Sequence, residues 1–238
     1  MSSARLKCDW ATHAAALYAV KHWHYSRRMP RCKTVKVGVW EDEKFIGVVI
    51  FSRGATPQLG KPYGLKQTEL CELTRVALTT HATPVSRIVR FAIKLLKTQS
   101  PGLRLIVSFA DPDRGHHGGI YQAGNWIYTG ARATHCYKIH GKLVHSRTIH
   151  ITYGTGSQRM SWLRANVDPH AERVIQTAKH RYLMPLDEAM RVRAQSLALP
   201  YPKRPKQAMA DTPSAQRRSI TDPDAPTDTN EGVHHASN

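Results

Sequence analysis

The chain has 238 residues, a formal net charge of +18 and 41% hydrophobic residues, which suits a folded domain of ordinary size with a real core. It has no run of 18 apolar residues and no signal-peptide pattern, so we expect neither a transmembrane helix nor secretion. The four cysteines are widely spaced, which favours reduced thiols over a disulfide framework.

The excess positive charge is concentrated in the first 200 residues. Of the 35 Lys and Arg residues and the 17 acidic residues, five of each lie after residue 200, so 30 bases and 12 acids precede it. Repulsion among these positive charges destabilises such a domain unless it normally binds a polyanion, and nucleic acid is the first candidate. A membrane surface fits less well, because no basic helix has a wide apolar face. A basic protein that is merely kept soluble is the remaining interpretation.

Residue periodicity predicts alternating helices and strands in the first half of the chain. In chain order, the predicted elements are a helix over 9–23, strands over 35–40 and 45–52, a loop over 53–68, a strand over 70–78 and a helix that starts at Thr83-Pro84. Proline suits the first turn of a helix. The face of this last helix opposite its apolar stripe carries Arg87, Arg90 and Lys94.

One connection in the second half has a pattern typical of a functional site. A strand over 105–110 ends at Asp111, and a small helix over 118–123 ends at Gly124-Asn125 before a strand at 126–128. A strand end followed by a helix N-terminus is where α/β proteins place chemistry. An ordinary connection with polar residues is the alternative.

The last third is predicted to contain two sheet segments, two helices and a tail. These are strands over 137–139 and 149–153, a helix over 168–184, a helix over 186–199 after a break at Pro185, and a disordered tail over 201–238. A homodimer through residues 168–199 is left open, since no heptad repeat indicates one.

Five short motifs follow one another along the chain. They are His22–Arg28 (HWHYSRR), Gly38–Glu43 (GVWEDE), Phe51–Ala55 (FSRGA), Glu72–Arg75 (ELTR) and Ser108–Asp111 (SFAD). With the order of elements, they make residues 5 to about 165 resemble the Mom DNA-modification family of Mu-like phages, within the GCN5-related acyltransferase (GNAT) superfamily. The resemblance implies an α+β fold over residues 1–160, with a mixed, mostly antiparallel sheet flanked by helices. Helices over 161–200 and the tail would follow it.

The resemblance also implies an activity. It is the conversion of adenine in phage DNA to a carbamoylmethyl (acetamido) form on the exocyclic amine, in the cytoplasm of the infected bacterial host, so that the DNA escapes restriction. The expected partner is double-stranded DNA. An acyl-CoA-dependent N-acetyltransferase acting on another substrate, and a noncatalytic DNA-binding protective protein, are the alternatives.

The identity of the activated acyl donor is left open. Members of the superfamily bind the pyrophosphate of acyl-CoA with a glycine loop before a helix, but Thr80–Arg87 contains no glycine. The carbamoylmethyl group has the atoms of glycinamide, so glycyl-tRNA is a rival donor and tRNA a second partner. Candidate donor-binding residues are Arg75, Arg87, Arg90 and Asn125, although a turn explains Asn125 equally well.

Adenine's amine is a poor nucleophile, so an enzyme must flip the base out, stack it, activate the amine and stabilise charge on the donor. We expect Tyr25 or Trp23 to stack the base of the DNA and His24 to act as general base. Histidines that favour the dipole of a helix C-terminus are the alternative. Asp111 would accept the amine proton, orient the base or cap a helix, and Ser108 would bind the donor or be structural.

Tyr121 resembles the general-acid tyrosine of the superfamily. Arg75 lies in an apolar strand and needs a partner, which we expect to be a phosphate or Asp111, because Glu72 has the wrong parity for the same face. Phosphate contacts, or simply a solvated loop, explain a run of basic residues after the first helix. These are Arg27, Arg28, Arg31, Lys33 and Lys36.

A metal is possible but not predicted. His22, His24, His116, His117 and either Cys8 or Cys32 could supply ligands. The sequence has neither the Cys-x-x-Cys nor the His-Glu-x-x-His spacing of common metal sites.

Overall fold

A computed structural model describes residues 4–54 and 56–203. Its strands are β1 (Leu6–Trp10), β2 (Thr34–Glu41), β3 (Lys44–Ser52), β4 (Leu70–Leu78), β5 (Leu105–Ala110), β6 (Ile127–Arg132), β7 (His135–Ile139), β8 (Lys142–His145), β9 (Glu172–Ile175) and β10 (Lys179–Pro185). Its helices are α1 (His13–Trp23), α2 (Val85–Gln99), α3 (Gly119–Gln122), α4 (Ser146–Tyr153), α5 (Met160–Asn166) and α6 (Glu188–Gln195), with 3₁₀ turns at Pro57–Tyr63 and Pro112–Arg114. None of the helices in these ranges is long and apolar enough to cross a membrane.

The strands form a seven-stranded sheet and a separate three-stranded sheet. The order of the large sheet is β1-β2-β3-β4-β5-β10-β6, and that of the small sheet is β8-β7-β9. In the large sheet only β4 and β5 run parallel. They pair over three positions, from Leu70 with Leu105 to Glu72 with Val107, and then part. The predicted fold class, a mixed and mostly antiparallel sheet flanked by helices, is confirmed.

The helices α1 and α2 cover opposite faces of the large sheet. Successive side chains of a strand point to opposite faces. In β3, Val48 and Ile50 pack with α1, whereas Val49 and Phe51 pack with α2. Helix α6 and the turn at Pro57–Tyr63 pack together against buried residues of β4, β5, β6 and β10. The core therefore lies in two layers, one on each side of the sheet.

A bulge at Thr74 interrupts β4. Leu73 pairs with Phe51 of β3, but Arg75 pairs with Ile50, so Thr74 is one extra residue in the strand. An extra residue reverses the alternation of side chains beyond it. Glu72 and Arg75 therefore share a face, and the expectation that Glu72 has the wrong parity is wrong.

The helix predicted over 168–184 is also wrong. These residues form β9 and β10, and β10 lies inside the large sheet between β5 and β6. Tyr182 and Leu183 are both fully buried and pack into the clusters on opposite faces, as adjacent residues of a central strand do. The predicted helix over 186–199 is present as α6. The segment over 161–200 is thus only partly helical, and it completes the sheet.

Two smaller expectations are corrected. The strand predicted over 149–153 is helix α4, in which Ile149 is buried in the core of the small sheet while Ile151 is 73% exposed. The first helix begins at residue 13 rather than 9, because Thr12 caps it and the preceding residues form edge strand β1. The predicted disordered tail lies, from residue 204 onward, outside the described residues.

Asp187 attaches α6 to the sheet. Its carboxylate accepts hydrogen bonds from Arg104 Nε at 2.8 Å, from Arg104 Nη2 at 3.1 Å and from the backbone N–H of Met190 at 2.8 Å. The Arg104 guanidinium is the main cause that lowers the pKa of Asp187 to about 2. A lowered carboxyl pKa adds stability above the pKa of the unfolded chain, and this stability is lost as the pH falls through the folded-state value.

We predict that Asp187→Ala lowers the free energy of unfolding at pH 7 by about 1–2 kcal/mol, because the helix cap and the ion pair are lost together. The difference between wild type and variant should shrink as the pH falls from about 4 towards 2. Thermal unfolding followed by circular dichroism measures both effects, with Glu188→Gln on the same helix turn as control. A difference that stays constant down to pH 2 would contradict this assignment.

Candidate active site

A cavity of about 750 Å³ opens where β4 and β5 part. Its walls come from the end of α1, β4 from Glu72 onward, the end of β5 with the residues that follow it, and the start of α2. Because α1 and α2 cover opposite faces, residues next to both faces of the sheet line this one cavity.

Some of the predicted site residues meet in this cavity and others do not. Those that line it are Trp23, His24, Tyr25, Arg75, Asp111 and Tyr121. Ser108 is fully buried and bonds to Tyr121 from outside the cavity wall. Those outside the cavity are Arg27, Arg28, Arg31, Lys33, Lys36, Arg87, Arg90 and Asn125. Asn125 is an exposed turn residue with a left-handed φ of 56°, which agrees with the turn interpretation.

Tyr25 is the accessible aromatic ring of the site. It is 51% exposed, and its ring centroid lies 4.3 Å from that of His24 and 5.2 Å from that of His116. The Arg114 guanidinium lies 5.6 Å from the ring centroid. Trp23 instead packs against Tyr18 and Phe45 in the core. Of the two predicted stacking residues, the geometry favours Tyr25.

His24 is held as a neutral ring with a defined tautomer. Its Nδ1 accepts the backbone N–H of Ser26 at 3.1 Å and lies 2.8 Å from Ser26 Oγ, so the proton of the neutral ring belongs on Nε2. Burial, then the charge of Arg75 and the nearby His116, lower the pKa of His24 to about 4. These contacts suit a hydrogen-bond donor better than the general base expected from the sequence.

Arg75 has a donor without a protein partner. Its Nη1 donates to the backbone carbonyl of Thr74 at 2.7 Å, while its buried Nε has no hydrogen-bond partner among the described residues. An unpaired buried donor is costly, and the cost is recovered when a ligand oxygen accepts from it. The expected contact of Arg75 with Asp111 is absent from the hydrogen bonds of the described residues. Asp111 pairs with a different cation.

That cation is Lys179, the first residue of β10. Its Nζ lies 2.9 Å from Asp111 Oδ2, while Asp111 Oδ1 accepts the N–H of Asp113 and caps the turn after β5. Lys179 lines the cavity, as does Glu72 of β4. Sequence reasoning missed Lys179 because the helix prediction displaced it from the sheet, and missed Glu72 because no sequence signal marked the bulge.

Ser108 and Tyr121 form a buried hydrogen-bonded pair beneath the opening. Ser108 Oγ lies 2.8 Å from the carbonyl oxygen of Leu73 and 2.8 Å from the Tyr121 hydroxyl. Ser108 has one hydroxyl proton and a carbonyl can only accept, so Tyr121 must donate to Ser108 when both bonds exist. Burial raises the pKa of Tyr121 to about 12. Its proton is therefore directed away from any leaving group, which does not favour the predicted general-acid role.

An acidic side chain binds the loop that precedes α2. Glu41 accepts the N–H of Ala82 at 2.8 Å, the N–H of Thr83 at 2.8 Å and the hydroxyl of Thr83 at 2.6 Å. These hydrogen bonds, that of the Thr83 side chain first, lower the pKa of Glu41. Backbone N–H groups of a loop that leads into a helix can bind phosphates. A pyrophosphate could use these two amides only by displacing Glu41.

The histidines considered as metal ligands lie in different surroundings. His22 stacks on Tyr18 with ring centroids 4.3 Å apart, whereas His24, His116 and His117 line the cavity. Across the described ranges, no group of three His, Cys, Asp or Glu side chains could hold a metal ion.

The parted parallel strands, with a helix after β4 and a cavity between them, form the arrangement that the acyltransferase resemblance implies. The chain belongs to the Mom protein family, whose model matches residues 5–203. It is 29% identical to the methylcarbamoylase Mom of Escherichia phage Mu over 187 residues, which are 76% of this chain and 76% of that relative. Among solved structures it is similar to FeeM, an N-acyl amino acid synthase from uncultured soil microbes, with a TM-score of 0.44 and 11% identity. That match covers 83% of this chain and 96% of the other.

We predict that His24 protonates near pH 4 and that its neutral ring carries the proton on Nε2. Two-dimensional ¹H–¹⁵N spectra of the imidazole groups report both properties, and the spectrum of His24→Gln identifies the signal. Because the unfolded chain binds this proton more readily, wild type should also lose stability relative to His24→Gln between about pH 6.5 and 4. Titration near the ordinary histidine value, or a proton on Nδ1, would contradict this description.

Proposed function

We propose that this protein uses an activated glycine to convert adenine in DNA to a form that carries a carbamoylmethyl group on the exocyclic amine. The observation that carries the proposal is a cavity between the parted strands in which an accessible tyrosine, a neutral histidine and an arginine with an unpaired Nε meet. Membership of the Mom family supports the substrate, and the name of the phage Mu relative supports the transferred group.

The DNA side of the cavity is the face covered by α1. The loop that follows Tyr25 exposes Arg27, Arg28, Arg31 and Lys33, with no acidic residue between them. Contacts from these residues to phosphates would position the duplex without reading its sequence. An adenine flipped out of that duplex would stack on Tyr25, because enzymes that modify a base must take it out of the helix.

The donor carbonyl would lie against Arg75 and His24. Arg75 Nε and His24 Nε2 can both donate to its oxygen, where negative charge develops as the amine attacks. The bond between the carbonyl carbon and the carrier's oxygen then breaks, and the carrier leaves with that oxygen. Adenine's amine loses a proton in the same reaction. We assign proton acceptance to Glu72, because its carboxylate lines the cavity on the same face of β4 as Arg75. Asp111 and Lys179 then act as positioning residues for the turn after β5.

Two isomeric products must be distinguished. Attack of adenine's amine on the carbonyl of an activated glycine forms a bond to the carbonyl carbon and gives the aminoacetyl compound. The carbamoylmethyl compound has the same atoms but is joined through the methylene side of the glycine. It forms from the aminoacetyl compound if the glycyl amine then attacks C6 of the purine, while the bond between C6 and the original amine breaks and that amine remains as the amide nitrogen. This rearrangement gains and loses no atom. An assay of the product must therefore compare it with synthetic standards of both isomers.

An acyl-CoA donor is less well supported. The loop before α2, where the superfamily binds this pyrophosphate, already binds the carboxylate of Glu41 through the backbone amides of Ala82 and Thr83. A displaced Glu41 would lose these hydrogen bonds and face the incoming phosphates with like charge. The noncatalytic alternative leaves the unpaired donor of Arg75 in the cavity without a role.

We predict that plasmid DNA from cells expressing the wild type contains carbamoylmethyl adenine, identified by nucleoside mass spectrometry and co-elution with a standard. Arg75→Gln should reduce the product about 10²–10³-fold, as loss of a donor to a developing oxyanion does. Tyr25→Ala should reduce it at least about tenfold, through loss of base stacking worth about 1–3 kcal/mol.

Lys142→Gln removes an exposed base on the small sheet and serves as the matched control, with no loss expected. Folded wild-type protein that leaves adenine unmodified would contradict the transferase assignment. Equal product from wild type and Arg75→Gln would contradict the role given to Arg75.

A further inference from the structure

A second basic surface lies on the exposed side of α2. Arg87, Arg90 and Lys94 are exposed and spaced three and four residues apart, so they form one stripe along the helix. Phe91 is 40% exposed beside them, with the Arg87 guanidinium 5.9 Å from its ring centroid. The fifteen residues of α2 include no acid. We call these four residues the α2 surface, and Arg27, Arg28, Arg31 and Lys33 the loop surface.

The two basic surfaces lie on opposite faces of the sheet and lead to the same cavity. The loop surface follows Tyr25 at the end of α1, and the α2 surface follows Val85 at the start of α2. Both Tyr25 and Val85 line the cavity. Because α1 and α2 cover opposite faces, a straight duplex bound on the loop surface does not reach the α2 surface.

The shape of the α2 surface fits an extended polyanion rather than a small phosphate. The distance along the helix axis from Arg87 to Lys94 is about 10 Å at 1.5 Å per residue. A nucleic-acid strand places about three phosphates over that length. In the loop before α2, which could hold a single phosphate group, the backbone amides of Ala82 and Thr83 already bind Glu41. An exposed arginine beside an aromatic ring also offers a stacking platform for an unpaired base.

We propose that the α2 surface binds RNA and that the acyl donor reaches the cavity on an RNA carrier while DNA occupies the loop surface. The inference rests on the proposed function, since a transferase that acts on DNA needs a second substrate on the other side of the cavity. It adds that this second substrate is itself a nucleic acid and has its own binding face.

The test measures binding of two fluorescent probes by anisotropy, with full-length protein at fixed salt. The probes are a 30-base-pair DNA duplex and deacylated bulk tRNA. The α2 variant is Arg87→Gln/Arg90→Gln/Lys94→Gln, and the loop variant is Arg27→Gln/Arg28→Gln/Arg31→Gln. The control is Lys138→Gln/Lys142→Gln/Arg159→Gln, which removes the same charge from exposed residues around the small sheet.

We expect the α2 variant to weaken tRNA binding at least about tenfold and DNA binding less than about threefold, and the loop variant to do the reverse. Each lost phosphate contact should lower the salt slope for its own probe by about one. The control should change both affinities about equally and less. The wild type should also bind both probes at once, so unlabelled tRNA should not displace the duplex.

Three results would overturn the proposal. They are no tRNA binding by the wild type, equal loss of both probes in the α2 variant, and displacement of DNA by tRNA. Weaker binding of DNA alone in the α2 variant would also overturn the proposal and would make the α2 surface a second DNA contact. These measurements need no base modification. A failure here with modified adenine present thus leaves the proposed function intact. A missing modification with separate binding faces overturns the function and the role of the RNA as acyl carrier, but leaves the α2 surface as an RNA-binding face.

Discussion

The early end of the pairing between β4 and β5 is the constraint on which the site depends. After three paired positions the ladder stops, and the Leu73 carbonyl accepts a hydrogen bond from the Ser108 side chain instead of from a neighbouring strand. The bulge at Thr74 follows at once, and its hydroxyl lies 2.6 Å from Ser52 Oγ. In a continuous sheet, the backbone polar groups here would form hydrogen bonds with the neighbouring strand. Side chains supply hydrogen bonds instead, and the two strands therefore stay apart.

The gap determines which side chains can act together. On the face covered by α1, the gap is lined by Glu72, Arg75 and His24. On the face covered by α2, it is lined by Tyr121 and Val85. Burial first, and then the positive charge of Arg75, lower the pKa of His24 and keep its ring neutral. In this site, Arg75 Nε and His24 Nε2 can both donate hydrogen bonds to one developing negative charge. The loop surface and the α2 surface lie beside it on opposite faces of the sheet.

Much of this could be predicted from local sequence, and the failures have physical causes. Strands β2 to β5 and helix α2 have clear periodicity. Tyr25, Arg75 and Asp111 are predicted from their motifs, and the structure places them around one cavity. The bulge at Thr74 leaves no local signal, so Glu72 was assigned to the wrong face. The strand β10 is short, with apolar residues facing both sides, and a short apolar run does not distinguish a strand from a helix. The incorrect helix prediction for this segment is also the reason why Lys179 was not predicted as a site residue.

The measurement that tests the central claim most directly is a crystal structure of this protein with an adenine-containing DNA duplex. Our account predicts the duplex on the loop surface, with one adenine outside the helix, its ring against Tyr25 and its amine within hydrogen-bond distance of Glu72. An adenine that stays stacked in the duplex, or a duplex bound across α2, would contradict it.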